Sequence, residues 1–448
     1  MGGLSFMEEM KLVKGFKPAL AGKPDQSVIY LPDPETVGVS VMDIPYIRPK
    51  ILVKENDPVK TGTPLFCDKR NPRIQYVSPA TGTVEKIIFG ERRRLKEIVI
   101  RLQGKEDFIC FETLTRETVD TVQKPDLVRL LQEGGLWPCF RQFPFKDSAD
   151  PDLEPPMIIV SLNGNDPFSP HPGAVLEKEF SVFEFGLRVL GKLTRRIVVS
   201  SRQSSLDQLN GVKNHVTHQV PDLYPAWDPG VVLYRLKTTV EENRSWCISA
   251  EHLLLVGKFL LTGTYPVKRV FTVTRPGDQK PHIIARQGSP VKALAGRFPD
   301  RSLITTGRFN GRPVDPDSHL GFFDTTLNII PDNPEEELFG FIRPGISKPS
   351  VSRTFLSSLF KTPKELDCNL HGEERACVNC GYCARICPVD LEPSFIIKAL
   401  LSDDIEDALS FGLLDCCRCG LCTYVCPSKI ELTHLLSDGI TAYYKDKQ

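Results

Sequence analysis

The sequence predicts a multidomain α+β protein, and three observations carry that expectation. At 448 residues the chain is too long for one hydrophobic core, given about one domain per 150 residues. Its apolar periodicity changes along the chain, from strand-like alternation to strand, helix and strand, back to alternation, and last to helical spacing. Its 14 cysteines are unevenly placed, nine of them between Cys377 and Cys426. The expected units are a β unit at 1–115, an α/β unit at 116–255, a small β unit at 256–345 and a helical, cysteine-rich unit at 346–448.

Lys plus Arg and Asp plus Glu number 56 each. The balanced charge supplies no field for nucleic acid or anionic membrane. No run approaches about 18 consecutive apolar residues, and "MGGLSFMEEMKLVKGF" lacks the apolar region of a secretory signal. A soluble, cytoplasmic protein is expected. Clustered cysteines in a reducing compartment point to thiolates held for metal rather than to a disulfide scaffold.

In the first unit, "KILVKENDPVKTGTPLFCDK" and "IQYVSPATGTVEKIIFGERRRLKEIVIRL" alternate apolar and polar residues between Asn-Asp-Pro, Thr-Gly-Thr and Ala-Thr-Gly turns. Through "ENDPVKTGTPL" and "SPATGTVEKI" this stretch resembles the barrel-sandwich hybrid of lipoyl and biotinyl carrier domains. The resemblance puts Lys69 near the place of a modified hairpin-tip lysine. Its Asn-Pro turn context reads more simply as a solvated lysine.

In the α/β unit, "PDLVRLLQEGGLW" has helical spacing and stops at Gly134-Gly135. "PPMIIVSLNG", "VFEFGLRVLGKL" and "RRIVVSS" predict strand, helix and strand, a βαβ unit. A nucleotide site would lie at "NGNDPFSPHPG", but neither the dinucleotide glycine spacing nor a P-loop is present, so Asn163, Gly164 and Asn165 read as turn formers. His215 and His218 stand in the loop-like "NHVTHQVPD", poor context for a metal pair.

"KRVFTVTRPG", "PHIIARQGSP" and "RSLITTGRFNG" predict the strands of the small β unit. Pro344-Gly345 and Lys348-Pro349 mark a linker, and Val351, Phe355, Leu356, Leu359 and Phe360 then share a helical face. An amphipathic face of this kind usually covers its own core. No catalytic signature of hydrolytic type appears, so no catalytic residue is assigned.

Eight cysteines form an internal repeat. Adding 39 to Cys377, Cys380, Cys383 and Cys387 gives Cys416, Cys419, Cys422 and Cys426, so both copies read C-x2-C-x2-C-x3-C-P. Two-residue gaps let three thiolates converge on one cubane, and the fourth, before proline, ligates the other cluster. Cys377, Cys380, Cys383 and Cys426 are thus expected to hold one 4Fe-4S cluster, and Cys416, Cys419, Cys422 and Cys387 the second. Pro388 and Pro427 restrict the exiting chain, and Gly381 and Gly420 are expected to let backbone approach the cluster sulfurs. Four-thiolate zinc is the structural alternative, disfavoured by the in-register repeat ending in Cys-Pro. Cys417 and Cys368 are surplus to the repeat, and Cys417 reads as a buried thiol beside the cluster. The insert "PSFIIKALLSDDIEDALSFGLL" reads as helix and resembles an α-helical ferredoxin domain.

"LVKGFKPALAGKP", "CDKRNPRIQYVSPATGTVEKI", "EGGLWPCFRQFPF", "VGKFLLTGTYPVKRV" and "ELFGFIRPGISKPSVSRTFLSSLF" resemble the A-subunits of the sodium-translocating NADH:quinone reductases along nearly the whole chain. A second resemblance is to the C-subunits of the Rnf ferredoxin:NAD oxidoreductases, and both families are related in fold to the flavin-binding component of respiratory complex I. The resemblance implies a β-grasp domain of the SLBB kind for the small β unit. It also implies a membrane complex of six subunits, with NADH oxidised elsewhere, sodium moved by membrane partners and ubiquinone as acceptor. This chain would be peripheral, on the cytoplasmic face of the inner membrane. Familiar members of the reductase family lack the double motif, so this chain departs from them in keeping all eight cysteines. Three readings stay open: a redox subunit, an Rnf-type subunit, or a docking subunit whose clusters are staples.

Overall fold

The computed structural model describes residues 7–447 except 210, 276, 278–279, 308–310, 333–343, 347–355, 361, 366–367 and 369–372. Two small sheets form the barrel-sandwich hybrid. One orders Thr36–Ser40, Leu95–Leu102, Gly82–Phe89 and Pro58–Val59; the other orders Pro49–Ile51, Pro64–Asp68 and Asn71–Val77. The alternating sequence puts Val37, Leu65, Phe66, Val84, Ile98 and Ile100 between them, each fully buried.

The α/β unit is a seven-stranded sheet with the predicted βαβ at its centre. The strand Ile158–Ser161 pairs in parallel with Ile197–Arg202 on one side and Trp246–Ser249 on the other. The helices Phe180–Leu190 and Ala250–Thr262 pack on each other, and the helix Pro229–Leu236 packs on the central strand. Strand alternation divides the sheet between two cores. Ile158 and Val160 join the barrel-sandwich residues and the first two helices, whereas Met157, Ile159 and Val198 join Val231 and Val232 of the third.

The small β unit has the β-grasp order. Lys268–Thr274 and His282–Arg286 form a hairpin, the helix Val291–Ala295 follows, and Thr326–Pro331 lies parallel to Lys268–Thr274 and antiparallel to Ser302–Thr306. It keeps a separate core of Phe271, Val273, Ile283, Leu294, Ile304 and Leu327. The N-terminal stretch does not stay with the barrel-sandwich sheets. Glu8–Glu9 adds an edge to the α/β sheet and Val28–Tyr30 an edge to the β-grasp sheet. Buried Arg286 ties the units together, bonding Asp33 and Glu106, each at 2.7 Å, and Pro79 O at 2.8 Å.

Val351 and Phe355 of the expected amphipathic face lie outside the described residues. Leu356–Leu359 is a 3-10 turn, with Leu356, Leu359 and Phe360 exposed. The insert between the cysteine runs is two helices rather than one, Pro393–Leu401 and Ile405–Ser410. Asp403 has φ 56°, and the Asp404 carboxylate accepts from Asp407 N at 3.0 Å. The Ser-Asp-Asp sequence offers a better N-cap than a helix interior, so the helix ends and restarts there. Among the described residues no helix is long and apolar enough to cross a membrane.

Candidate functional site

The cysteine repeat is also a repeat of backbone. Asn379 and Arg418 (φ 53° and 55°), Gly381 and Gly420 (71° and 85°), and Asp390 and Lys429 (54° and 58°) are left-handed pairs at the offset of 39. Each run turns through the first two of these into a short helix, Tyr382–Ile386 and Leu421–Tyr424, and through the third after it; the two helices pack against each other. Gly381 is needed for its φ rather than for close approach: a Cβ there would meet no protein atom within 4 Å. Three left-handed turns per copy curl each run inward.

The first predicted set converges on one cavity. Cys377, Cys380, Cys383 and Cys426 all line a space of about 100 Å³, walled by Ile397, Leu401 and Leu432. The crossing of Cys426 into the first set has a structural cause. Arg375 N donates to Ser428 O at 2.9 Å and Ser428 Oγ to Ala376 O at 3.0 Å, so the chain entering the first run is tied to the chain leaving the second.

The second set is deeper. Cys387, Cys419 and Cys422 are 8–9% exposed and share one apolar core with Cys417. Burial pushes the Cys387 thiol up to about 12, with Cys417 and Cys422 adding repulsion. Burial likewise pushes Cys422 up to about 11 and raises Cys416, whose neighbours include Cys417, Cys422 and Cys387. On Cys419 the hydrogen bond with Cys417 is the larger cause and burial second. Deprotonating four such thiols needs a compensating positive charge, which a bound metal centre provides. Cys417 is a buried thiol among the cysteines of the second set.

Donors aimed at sulfur surround both sets. Thr433 Oγ1 lies 3.3 Å from Cys422 Sγ, and Asn379 N donates to Cys377 Sγ at 3.4 Å. Backbone groups of Val389 and Leu391 bond Cys387. Such contacts stabilise thiolate and tune cluster potential. A cavity lined by four thiols fits such a cluster.

The cysteine domain is seated on the α/β sheet. Tyr224, fully buried, donates from its hydroxyl to Cys419 O at 2.7 Å. Arg235 bonds Pro388 O at 2.7 Å and Asp390 at 2.9 Å, and Lys237 pairs with Asp415. These partners lie far from the motif in sequence and no local spacing announces them. The repeat does mark Pro388, Asp390 and Asp415 as its flanks.

Other predicted residues separate. Lys69 is exposed at the tip between Pro64–Asp68 and Asn71–Val77, while Arg70 beside it is held by Asp68, Asp147 and Tyr444. His218 lies 3.5 Å from Glu8 and His215 3.9 Å from Glu184, so the two share no site. Asn163 is structural as read: its Nδ2 donates to Ser205 Oγ at 3.0 Å and its Oδ1 accepts from Arg202 N at 2.9 Å.

Three family models match. Residues 10–103 match the NqrA N-terminal barrel-sandwich hybrid domain, 122–265 the NqrA second alpha/beta domain, and 376–431 a 4Fe-4S dicluster domain. The chain is 30% identical over 416 residues to the A-subunit of the Na(+)-translocating NADH-quinone reductase of Klebsiella pneumoniae, covering 91% of this chain and 92% of that one. It is 29% identical to its counterpart from Marinomonas sp. over 411 residues, covering 90% and 92%. Against that of Photorhabdus laumondii it is 30% identical over 413 residues, covering 91% and 92%.

Proposed function

The chain belongs to the family of A-subunits of the Na(+)-translocating NADH-quinone reductases, and we propose that in this assembly it is a peripheral, cytoplasmic-face redox subunit holding two 4Fe-4S clusters. The observation that carries the reading is the cavity lined by Cys377, Cys380, Cys383 and Cys426, three thiols of one run with the fourth of the other. When bound, 4Fe-4S clusters supply one-electron carriers.

The residues divide the work. Cys387, Cys416, Cys419 and Cys422 hold the inner cluster, and the burial of Cys387, Cys419 and Cys422 limits water on that side. Cys377 is exposed, so the first set faces the surface, where an electron partner can come close. The two sets approach each other at Cys422 and Cys383, where the charge of one thiolate raises the cost of the other. The wider assembly would have six subunits, with ubiquinone as acceptor and membrane attachment through partners.

Anaerobic reconstitution tests this directly. About eight iron and eight sulfide per chain are expected, with visible absorbance that bleaches on reduction and an EPR signal at low temperature. Cys383→Ser should halve the iron, leaving the inner set. Protein that takes up no iron, or iron without change on reduction, would refute the redox role.

The shared core beneath the second set favours one other reading, in which the inner cluster also acts as a staple. Cys422→Ser with electron transfer intact in the complex but a protease-sensitive C-terminal domain would support the staple alone.

A further inference from the structure

The parallel part of the α/β sheet reverses its direction of growth once. From Ile158–Ser161 the chain adds Ile197–Arg202 and His218–Val220 on one side, then Trp246–Ser249 on the other. In open α/β sheets, ligands bind beyond the carboxyl ends of the strands at such a reversal. A cavity of about 150 Å³ lies there, lined by residues 163–166 after one strand and Ser249–His252 after its neighbour.

Its lining presents one cation, Arg141, that no carboxylate holds in an ion pair among the described residues, and the carboxylate of Asp166. The Arg141 Nε donates to Lys146 O at 2.8 Å and the guanidinium lies 4.5 Å over the Phe323 ring, while among the described residues no carboxylate pairs with it. Burial holds its pKa below the ordinary value, with Arg418 adding repulsion and the carboxylates of Asp147 and Asp43 offsetting part of the cost without bonding it.

His252 is 7% exposed; its ring lies near the Phe322 carbonyl, and Nε2 makes no hydrogen bond of good geometry among the described residues. Ser249 Oγ accepts from His252 N at 3.2 Å and lies 3.0 Å from Nδ1. When the serine hydroxyl donates to Nδ1, Nε2 carries the ring proton and is a donor. The helix Ala250–Thr262 also begins here, with its positive dipole end at the cavity.

The other charges are accounted for. Glu251 is engaged by Arg269 at 2.6 Å and Val270 N at 3.1 Å, and Lys146 by Asp228 at 3.0 Å. Asp166 also lines the cavity.

We propose that this cavity binds a small molecule carrying an oxyanion, phosphate or carboxylate, received by Arg141, His252 and the helix N-terminus. Lys146 lines both this cavity and the cleft beside Cys416 and Cys417, so the ligand lies next to the inner cysteine set. The site is made by Arg141, His252 and the helix end alone and stands whether or not the cysteines hold clusters.

Calorimetric titration of the full chain with inorganic phosphate and, separately, succinate at constant ionic strength tests it. Saturable one-site binding of either is expected, and the tighter probe names the oxyanion class. Arg141→Gln should weaken it about tenfold or more, Arg141→Lys less, and His252→Gln by about threefold. Arg129→Gln, on the exposed face of another helix, should change nothing. No saturable binding of either probe, or wild-type affinity in folded Arg141→Gln, overturns the site. If Arg141→Gln does not fold, wild-type affinity in His252→Gln does so instead.

Discussion

Asp43 shows how one residue couples the barrel-sandwich unit to pH. Its Oδ2 accepts from Phe323 N at 2.6 Å, and Oδ1 has no partner among the described residues. Burial first, and then the charge of Asp324, push this carboxyl from 3.8 up to about 7. The folded chain therefore holds the proton more tightly than the unfolded chain. The group's stabilising contribution is full below about pH 4 and is lost as pH rises toward 7. Asp43→Asn keeps an acceptor for Phe323 N and removes the titration. Urea denaturation at pH 5, 6, 7 and 8 should show wild type losing on the order of 1–3 kcal/mol relative to the variant across that range. Parallel pH profiles for the two proteins would count against it.

At the scale of elements, the helix Lys124–Glu133 ends at two glycines with different duties. Gly134 has right-handed φ of −76°, which any residue can adopt, but a Cβ there would stand 2.1 Å from Cζ of fully buried Phe259. Gly135 has φ 72°, the left-handed turn that stops the helix. Gly134→Ala should thus destabilise by about 1–3 kcal/mol through overpacking against the helix Ala250–Thr262. Chemical denaturation within about 0.5 kcal/mol of wild type would show that Phe259 yields freely.

The Gly-Gly stop was legible in the sequence because turn chemistry is local; the packing duty of Gly134 was not, since Phe259 is more than a hundred residues away. The same divide runs through the molecule. The βαβ unit and the strands of the small β unit could be read from periodicity, but the short edges at Glu8–Glu9 and Val28–Tyr30 could not, because two or three residues are too few to show alternation. The cysteine sets stood out because cluster ligation imposes fixed spacing. Arg141 and His252 did not, because their meeting depends on the order of strands in the sheet.

On the whole-molecule scale, the α/β sheet is a wall common to two cores, one with the barrel-sandwich unit and one with the cysteine domain. Binding that favours only the folded state adds stability by mass action, and metal binding by unfolded thiols is weak by comparison. Iron–sulfur loading should therefore protect more than the domain that holds the cysteines. Tyr224 reaches Cys419, while Val231, Val232 and Ile159 pack in the same core as Cys387 and Cys422. Hydrogen exchange on the full chain should show amides of 224–236 slowing on loading together with those of 380–440. Amides of Ser302–Thr306, in the separate β-grasp core, should not change. Protection confined to the cysteine domain would mean that the shared apolar face slides without resisting, and that the domain folds on its own against a passive wall.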